Sequence, residues 1–218
     1  MKAKSTIEPT AYAVEVLPTG EAEVVVRENI AQTTEPAGPE LKEQATVWEY
    51  DEYRSRVRGR DNIAAAVAAD PASWLASIKA EVLAQARTDK LSEISDTCEK
   101  TIYAGVDVTL PTGTTAHFSL TEKDQINITA AQTAIKAGAT QFPYHADGDL
   151  CRMYSGEEIA AIETAATKFV LYHTTYCNHL NRWIDRSTSE DEIRAIYYGI
   201  PLPDDLKTSM DAIVGAGA

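Results

Sequence analysis

The spacing of apolar positions changes along the 218-residue chain, and each change marks an element. Around residues 11–27, Tyr12, Val14 and Val16 alternate with Ala13 and Glu15, and a β-branched run returns at 22–26 after Leu17-Pro18-Thr19-Gly20. A period of two on both sides of that turn predicts a β-hairpin, because Pro presets φ at the second turn position and Gly accepts a positive φ at the fourth. The tetrapeptide recurs as Leu110-Pro111-Thr112-Gly113 between Val106/Val108 and residues 116–120, predicting a second hairpin. Residues 46–57, TVWEYDEYRSRV, alternate aromatic with charged side chains. They predict a strand whose Trp48, Tyr50 and Tyr53 need a partner surface, which the N-terminal hairpin can supply. Residues 28–45 are polar, contain Pro36, Gly38 and Pro39, and read as an extended linker.

Beyond residue 60 the period becomes helical. Asp61 is placed to cap a short Ala-rich helix ending at Asp70, and Pro71 to open a longer one carrying Trp74, Leu75, Ile78, Val82 and Leu83. Residues 85–90 are polar apart from Ala86 before apolar spacing resumes at Leu91, Ile94, Cys98 and Ile102. The pattern favours one long helix exposed at its waist over two helices meeting near Thr88. Thr121-x-x-Asp124, Ser155-x-x-Glu158 and Ser189-x-x-Glu192 are capping-box patterns and predict three further helix starts. The first of these helices ends near Gly138, and a short hairpin over 142–154 with a primed turn at Asp147-Gly148 precedes the second. In the helix from Ser155, positions 159, 162, 166, 169, 173, 176, 180 and 183 carry Ile, Ile, Ala, Phe, His, Tyr, Leu and Trp. This heptad, coiled-coil spacing predicts a seam packed on another helix, within the chain against residues 71–103 or in a second copy. Residues 215–218 are expected to fray.

The expected fold is α+β: an N-terminal β-hairpin arm and strand, then a helical body of long antiparallel helices with two small β-hairpins. Three segments follow, with the arm and linker at 1–45, a strand and helix connector at 46–89, and a helix-hairpin-helix-hairpin-helix domain with short C-terminal helices at 90–218. Trp48, Tyr50, Tyr53, Trp74, Phe169, Tyr176, Leu180 and Trp183 are the candidate interface residues, since aromatic anchors are over-used where proteins meet.

Charge narrows the function. The chain has 33 acidic against 20 basic side chains, a net charge of -13, which is the wrong sign for a nucleic-acid backbone. Its local basic excess, Arg54, Arg56, Arg58 and Arg60, would share one face of a strand and reads as a solvated face or a contact for an acidic surface. No apolar run approaches the roughly 20 residues of a membrane span, and residues 1–10 lack the apolar stretch of a secretory signal. Cys98, Cys151 and Cys177 are an odd, widely spaced set that reads as reduced thiols in a cytoplasm. There is no phosphate loop, dinucleotide fingerprint or nucleophile elbow, so no catalytic residue and no cofactor is assigned. His173 and Cys177, four apart on one helix face, offer two metal ligands that His145 or Cys151 would have to complete. The competing reading, a histidine in a packed seam, leaves the metal set empty. A small cytoplasmic enzyme or metal protein built on that pair is the alternative from another functional class.

Tyr50-Asp51-Glu52-Tyr53-Arg54, followed by Asp61-Asn62-Ile63-Ala64 and Pro71-Ala72-Ser73-Trp74-Leu75, resembles tail proteins of bacteriophages that infect Gram-positive hosts. Residues 90–184 look like a domain found in tail-fibre and baseplate-associated proteins. The shared features are a long helix, His117-Phe118-Ser119-Leu120-Thr121, Asp124-Gln125-x-Asn127, a Tyr144-x-x-Asp147-Gly148 turn and a closing helix with His173. Where related proteins carry Trp before the Asp-Gly turn, this chain has Phe142 and Tyr144. The resemblance implies a non-enzymatic virion component, made in the host cytoplasm, that joins baseplate or tail tip to fibres or receptor-binding proteins. It implies other tail subunits and copies of the same chain as partners. A tail-fibre assembly chaperone, absent from the finished particle, is the alternative within the same biology.

Overall fold

The structure of the chain, a computed structural model, describes residues 2–35, 45–58 and 62–216. It is an α+β fold in two compact units: Met1–Thr88 with Thr188–Ile193, and Asp89–Ser187 with Arg194–Ala218.

The first unit is built on a four-stranded antiparallel sheet in the order β1-β4-β3-β2, from β1 (Lys2–Ser5), β2 (Tyr12–Val16), β3 (Glu21–Glu35) and β4 (Ala45–Arg58). The expected hairpin is β2–β3, closed as its turn chemistry requires, with Gly20 at φ 79° and the Leu17 amide donating to the Glu21 carbonyl at 2.7 Å. Alternation puts Ala22, Val24 and Val26 on one face. There they form a core with Ile63 and Val67 of helix α1 (Ile63–Ala69) and Ile78 of helix α2 (Pro71–Ala104), flanked by Tyr12, Val14, Tyr53, Trp74 and Leu75.

The other face is laced by charge across strands. Arg27 meets Glu52 at 2.8 Å, Arg54 meets Glu52 at 2.7 Å and Glu23 at 3.3 Å, and Arg58 meets Glu21 at 3.2 Å. Arg54, Arg56 and Arg58 therefore do share a face, and the acidic groups facing it include Glu21 and Glu23 of the neighbouring strand. Arg60 lies outside the described residues.

Residues 28–35, expected in a linker, continue β3 past a bulge between Glu28 and Ala31, where Asn29 takes φ 53°, and pair with the first part of β4. Polar side chains do not prevent a strand whose backbone is hydrogen-bonded along its length. The arm and the strand at 46–57 thus share one sheet; the rest of the expected linker, 36–44, lies outside the described residues, as does the Asp61 cap. The helix after it begins at Ile63 with Asn62 at φ 77° in the cap position and no side-chain cap. β1, which sequence reasoning passed over, pairs with β4 from Trp48 to Asp51. Among the described residues no strand flanks β3 on its outer side beyond Arg27, nor β4 beyond Asp51 on the β1 side. Among the described residues, therefore, the outer sides of 29–35 of β3, of 45–47 and 52–58 of β4, and of β1 and β2 have no partner strand.

Helix α2 is a single helix of 34 residues, and its buried positions are Ile78 and then Ile94, Cys98 and Ile102, with an exposed or half-buried waist between. The boundary between the two units falls at this waist, after Thr88.

In the second unit α2 ends at Gly105, and hairpin β5 (Val106–Thr109) with β6 (Thr115–Phe118) follows around the second Pro-Thr-Gly turn. Next come α3 (Glu122–Lys136), hairpin β7 (Gln141–Tyr144) with β8 (Arg152–Ser155), and α4 (Gly156–Arg186). The short α5 (Glu190–Ala195), which belongs to the first unit through Ile193, and α6 (Asp204–Ala216) of the second unit close the chain. Thr121 and Ser155 cap α3 and α4 in full capping boxes, and Ser189 exchanges the same pair of bonds with Glu192 at α5. α6 extends through Ala216, so Gly215, expected to fray, is helical; 217 and 218 lie outside the described residues.

Two expectations need correction here. The turn at Asp147-Gly148 is not primed: Gly148 alone has a positive φ, 80°, and the loop runs over 145–151. The heptad positions Ile159, Ile162, Ala166, Tyr176 and Leu180 of α4 are buried, but Phe169, His173 and Trp183 are only half-buried, and Cys177 and Ile184 join the buried stripe towards the end of the helix. A straight helix drifts by about 20° per heptad, so a seam kept by local packing moves off the 3.5 repeat. Its nearest neighbours are α3, α6 and β5, while α2, the expected partner, is hydrogen-bonded to it through Cys98, whose Sγ donates to the His173 carbonyl at 3.4 Å.

Gly105 is where backbone freedom is indispensable. At φ 91° it turns the chain out of α2, and a Cβ there would collide with the Phe118 carbonyl oxygen and stand 2.7 Å from Ser119 Cα. Gly105→Ala is expected to lower the stability of the second unit by on the order of 3 kcal/mol, read by urea unfolding followed by circular dichroism, whereas Gly113→Ala, with open space around it, costs about 1 kcal/mol.

Candidate interaction site

The eight candidate interface residues fall in two separate settings. In the first unit, Tyr53 and Trp74 pack against the sheet-and-helix core, so their aromatic surface is used internally. The Tyr53 hydroxyl donates to Glu28 Oε1 at 3.2 Å, its ring lies under Lys79 Nζ at 5.3 Å, and burial with the Glu28 carboxylate pushes its pKa up to about 12. Tyr50 carries the Arg27 guanidinium 5.6 Å above its ring, and Trp48 stands between Ser5 and Gln32 of the flanking strands, half-buried.

In the second unit, Leu180 is fully buried, whereas Phe169 and Tyr176 belong to an aromatic cluster on α4. His173 is its hub, with the Phe169 ring at 4.3 Å and the Tyr172 ring at 5.1 Å. Its Nδ1 is 2.8 Å from the Tyr198 hydroxyl. The Tyr176 hydroxyl donates to the Ile200 carbonyl at 2.6 Å and accepts from the Gly199 amide at 3.0 Å. Those bonds fix the 198–202 turn against α4. With Lys207, Met210 and Asp211 of α6 they enclose a cleft of about 320 Å³, into which Tyr172, 46% exposed, projects. The Tyr197-Tyr198 pair stands out in the sequence as an aromatic anchor of a core or an interface, whereas Tyr172 and the turn that follows the pair were not singled out by sequence reasoning.

His173 and Cys177 do share the inner side of α4. Burial lowers the His173 pKa and pushes the Cys177 thiol up to about 11, with the Cys98 thiol adding to the latter. Burial therefore disfavours the thiolate that a nucleophile would need. His145 and Cys151, needed to complete a metal set, sit in the 145–151 loop, where His145 stacks on Tyr144 and Cys151 is exposed. Among the described residues no three His, Cys, Asp or Glu side chains come together to hold a metal ion.

His117, Phe118, Ser119, Tyr144 and Asp147, five of the residues that carry the tail-protein resemblance, come together at a different point. Phe118, Tyr144 and Tyr154 form a ring triad with centroids 6.2 Å apart, joining the two hairpins. Beside it, His117 Nδ1 lies 2.7 Å from Asp107 and Nε2 2.6 Å from the Ala104 carbonyl at the end of α2. Asp147 takes hydrogen bonds from the Ser119 hydroxyl and, at 3.2 Å, the Ser119 amide, while its own amide donates to the His117 carbonyl at 2.9 Å. Both imidazole nitrogens face acceptors, so the protonated form is favoured and the pKa rises, first through Asp107 and then through Ala104. Burial works against ionised Asp147, but the Ser119 bonds and His117 outweigh it and its pKa falls.

Residues 85–197 match the family described as "Domain of unknown function (DUF4376)". The chain belongs to that family. The match covers just over half of the chain and takes in α2 from its waist, both hairpins, α3 and α4. No curated protein and no solved structure matches the chain. Within the DUF4376 region, no described helix is long and apolar enough to cross a membrane, nor is any elsewhere among the described residues.

The His117 cluster sets a pH dependence for this domain. The contribution from His117 is complete below the ordinary histidine pKa of about 6.5 and is lost as pH rises through the raised value; that from Asp147 is present above about 3.9 and is lost as pH falls. His173, whose pKa burial lowers, contributes in the opposite sense, so the His117 share is read as a difference: the urea midpoint of the second unit should exceed that of His117→Asn by most near pH 6, and the gap should close towards pH 8.5.

Proposed function

We propose that the chain is a non-enzymatic structural component of a phage tail, joining the baseplate or tail tip to fibres or receptor-binding proteins in the virion. The observation that carries this reading is the sheet of the first unit, whose edges at 29–35 and 52–58 lack a described partner strand. Open strand edges present rows of backbone donors and acceptors that pair with another chain, which is a hazard for a free monomer and a means of attachment for a subunit in an assembly. The partners are other tail subunits and further copies of this chain.

Mass spectrometry of purified virions tests the reading. Stoichiometric presence in particles is expected; absence from particles together with a soluble oligomer in the lysate would replace it with the assembly chaperone. The edge itself is tested by Gln32→Lys with Thr34→Lys, two exposed positions of β3. Lysines on an edge block pairing, so incorporation into particles should fail while the stability of the isolated chain stays within about 0.5 kcal/mol.

A further inference from the structure

We propose that the cleft between α4 and α6 binds a short, uncharged saccharide. The inference rests on the cleft's own geometry and does not need the tail assignment, so the two fail separately.

The lining of the cleft specifies the ligand by what it has left to offer. Tyr172 and Tyr176 lie nearly parallel, 14° apart with centroids 6.3 Å apart, and Tyr198 stands at 82° to Tyr176 with centroids 5.2 Å apart. These rings form a corner of aromatic surface. The Tyr176 and Tyr198 hydroxyls are already engaged with Ile200, Gly199 and His173; Tyr176 is itself buried and braces the corner, so the accessible ring surface is that of Tyr172, 46% exposed, and of half-buried Tyr198. On the rim, Lys207 and Asp211 form an ion pair one turn apart on α6, each side chain 61% exposed. A donor and an acceptor therefore stand side by side next to an apolar corner.

A pyranose has the complementary pattern, an apolar C–H face for an aromatic ring and vicinal hydroxyls for a neighbouring donor and acceptor. The rim pair is neutral overall and the chain carries -13, so an anionic sugar gains nothing there and is repelled at a distance. A proline-rich peptide also stacks on aromatic rings, but the neighbouring donor and acceptor of Lys207 and Asp211 match the vicinal hydroxyls of a sugar, whereas a proline peptide has carbonyl acceptors and no donors for Asp211. The volume, about 320 Å³, sits at the lower end of the roughly 300–1,000 Å³ of small-ligand sites. The bonds from Tyr176 to the 199–200 backbone hold the corner in shape before any ligand arrives, which lowers the ordering cost of binding.

The test is a titration of the ¹⁵N-labelled full chain with the methyl glycosides of glucose, galactose, rhamnose and N-acetylglucosamine, followed by amide chemical shifts. At least one should shift the amides of Tyr172, residues 198–202 and residues 207–211, with a Kd on the order of 1 mM. Tyr172→Ala should weaken that binding by about tenfold and Tyr172→Phe should keep it, since the half-exposed ring supplies stacking surface. Asp211→Asn, on the exposed face of α6, is the second variant should Tyr172→Ala lose its fold, and it should also weaken binding. Absence of localised shifts with all four glycosides overturns the proposal, as do shifts that persist unchanged in the folded variants. Shifts at the same amides with a hexaproline peptide and none with the glycosides would make the cleft a peptide site.

Discussion

The second unit depends on the close approach of Gly105 to the backbone of Phe118 and Ser119. Helix α2 has to stop, reverse and lay β5 against β6 within a few residues, and only a residue without a Cβ leaves room for the Phe118 carbonyl. Everything that meets there follows from that approach. Phe118 is delivered to Tyr144 and Tyr154, His117 reaches back to the Ala104 carbonyl, and the Asp147 amide closes on the His117 carbonyl. One helix end, two hairpins and the loop before β8 are thereby tied at one point. Arg152, bound to Glu158 at 2.8 Å and lying 3.5 Å above the Tyr154 ring, extends the tie to the capping box of α4.

Short strands of four residues would be marginal by themselves, since an isolated two-stranded hairpin is scarcely stable in water. Here each hairpin contributes an aromatic residue to a shared triad and so gains a buried face. The charged groups around the triad complete hydrogen bonds and hold positions; His117, Asp147 and Glu158 are committed to backbone and side-chain partners. The first unit solves the same problem differently, with long strands β3 and β4, a valine face against α1 and α2, and cross-strand ion pairs on the opposite face.

Much of this was legible in the residues. Both Pro-Thr-Gly turns, the capping boxes at Thr121 and Ser155, Pro71 at a helix start and the exposed waist of α2 are local chemistry, and local chemistry is what a sequence states openly. Continuation of β3 through residues 28–35 was not, because its stabilisation comes from pairing with a strand that side-chain composition does not announce. The drift of the α4 stripe from Trp183 to Ile184 was hidden by a heptad spacing that fits both positions at its start. As for the cleft, Tyr176 was singled out for its place in a seam and Tyr172 lies one helical turn before it, while Tyr198 and the Lys207–Asp211 pair are brought beside them by the fold of α6 and the 198–202 turn.

If the tie around Gly105 and Phe118 governs the second unit, a loop amide should be as protected as a core helix. Native-state hydrogen exchange of the Asp147 amide, compared with that of Ile162 in the first part of the α4 stripe, measures this directly. The account predicts that both exchange with the same free energy, by unfolding of the whole unit. An Asp147 amide that exchanges through a low-energy local opening while Ile162 stays protected would contradict it.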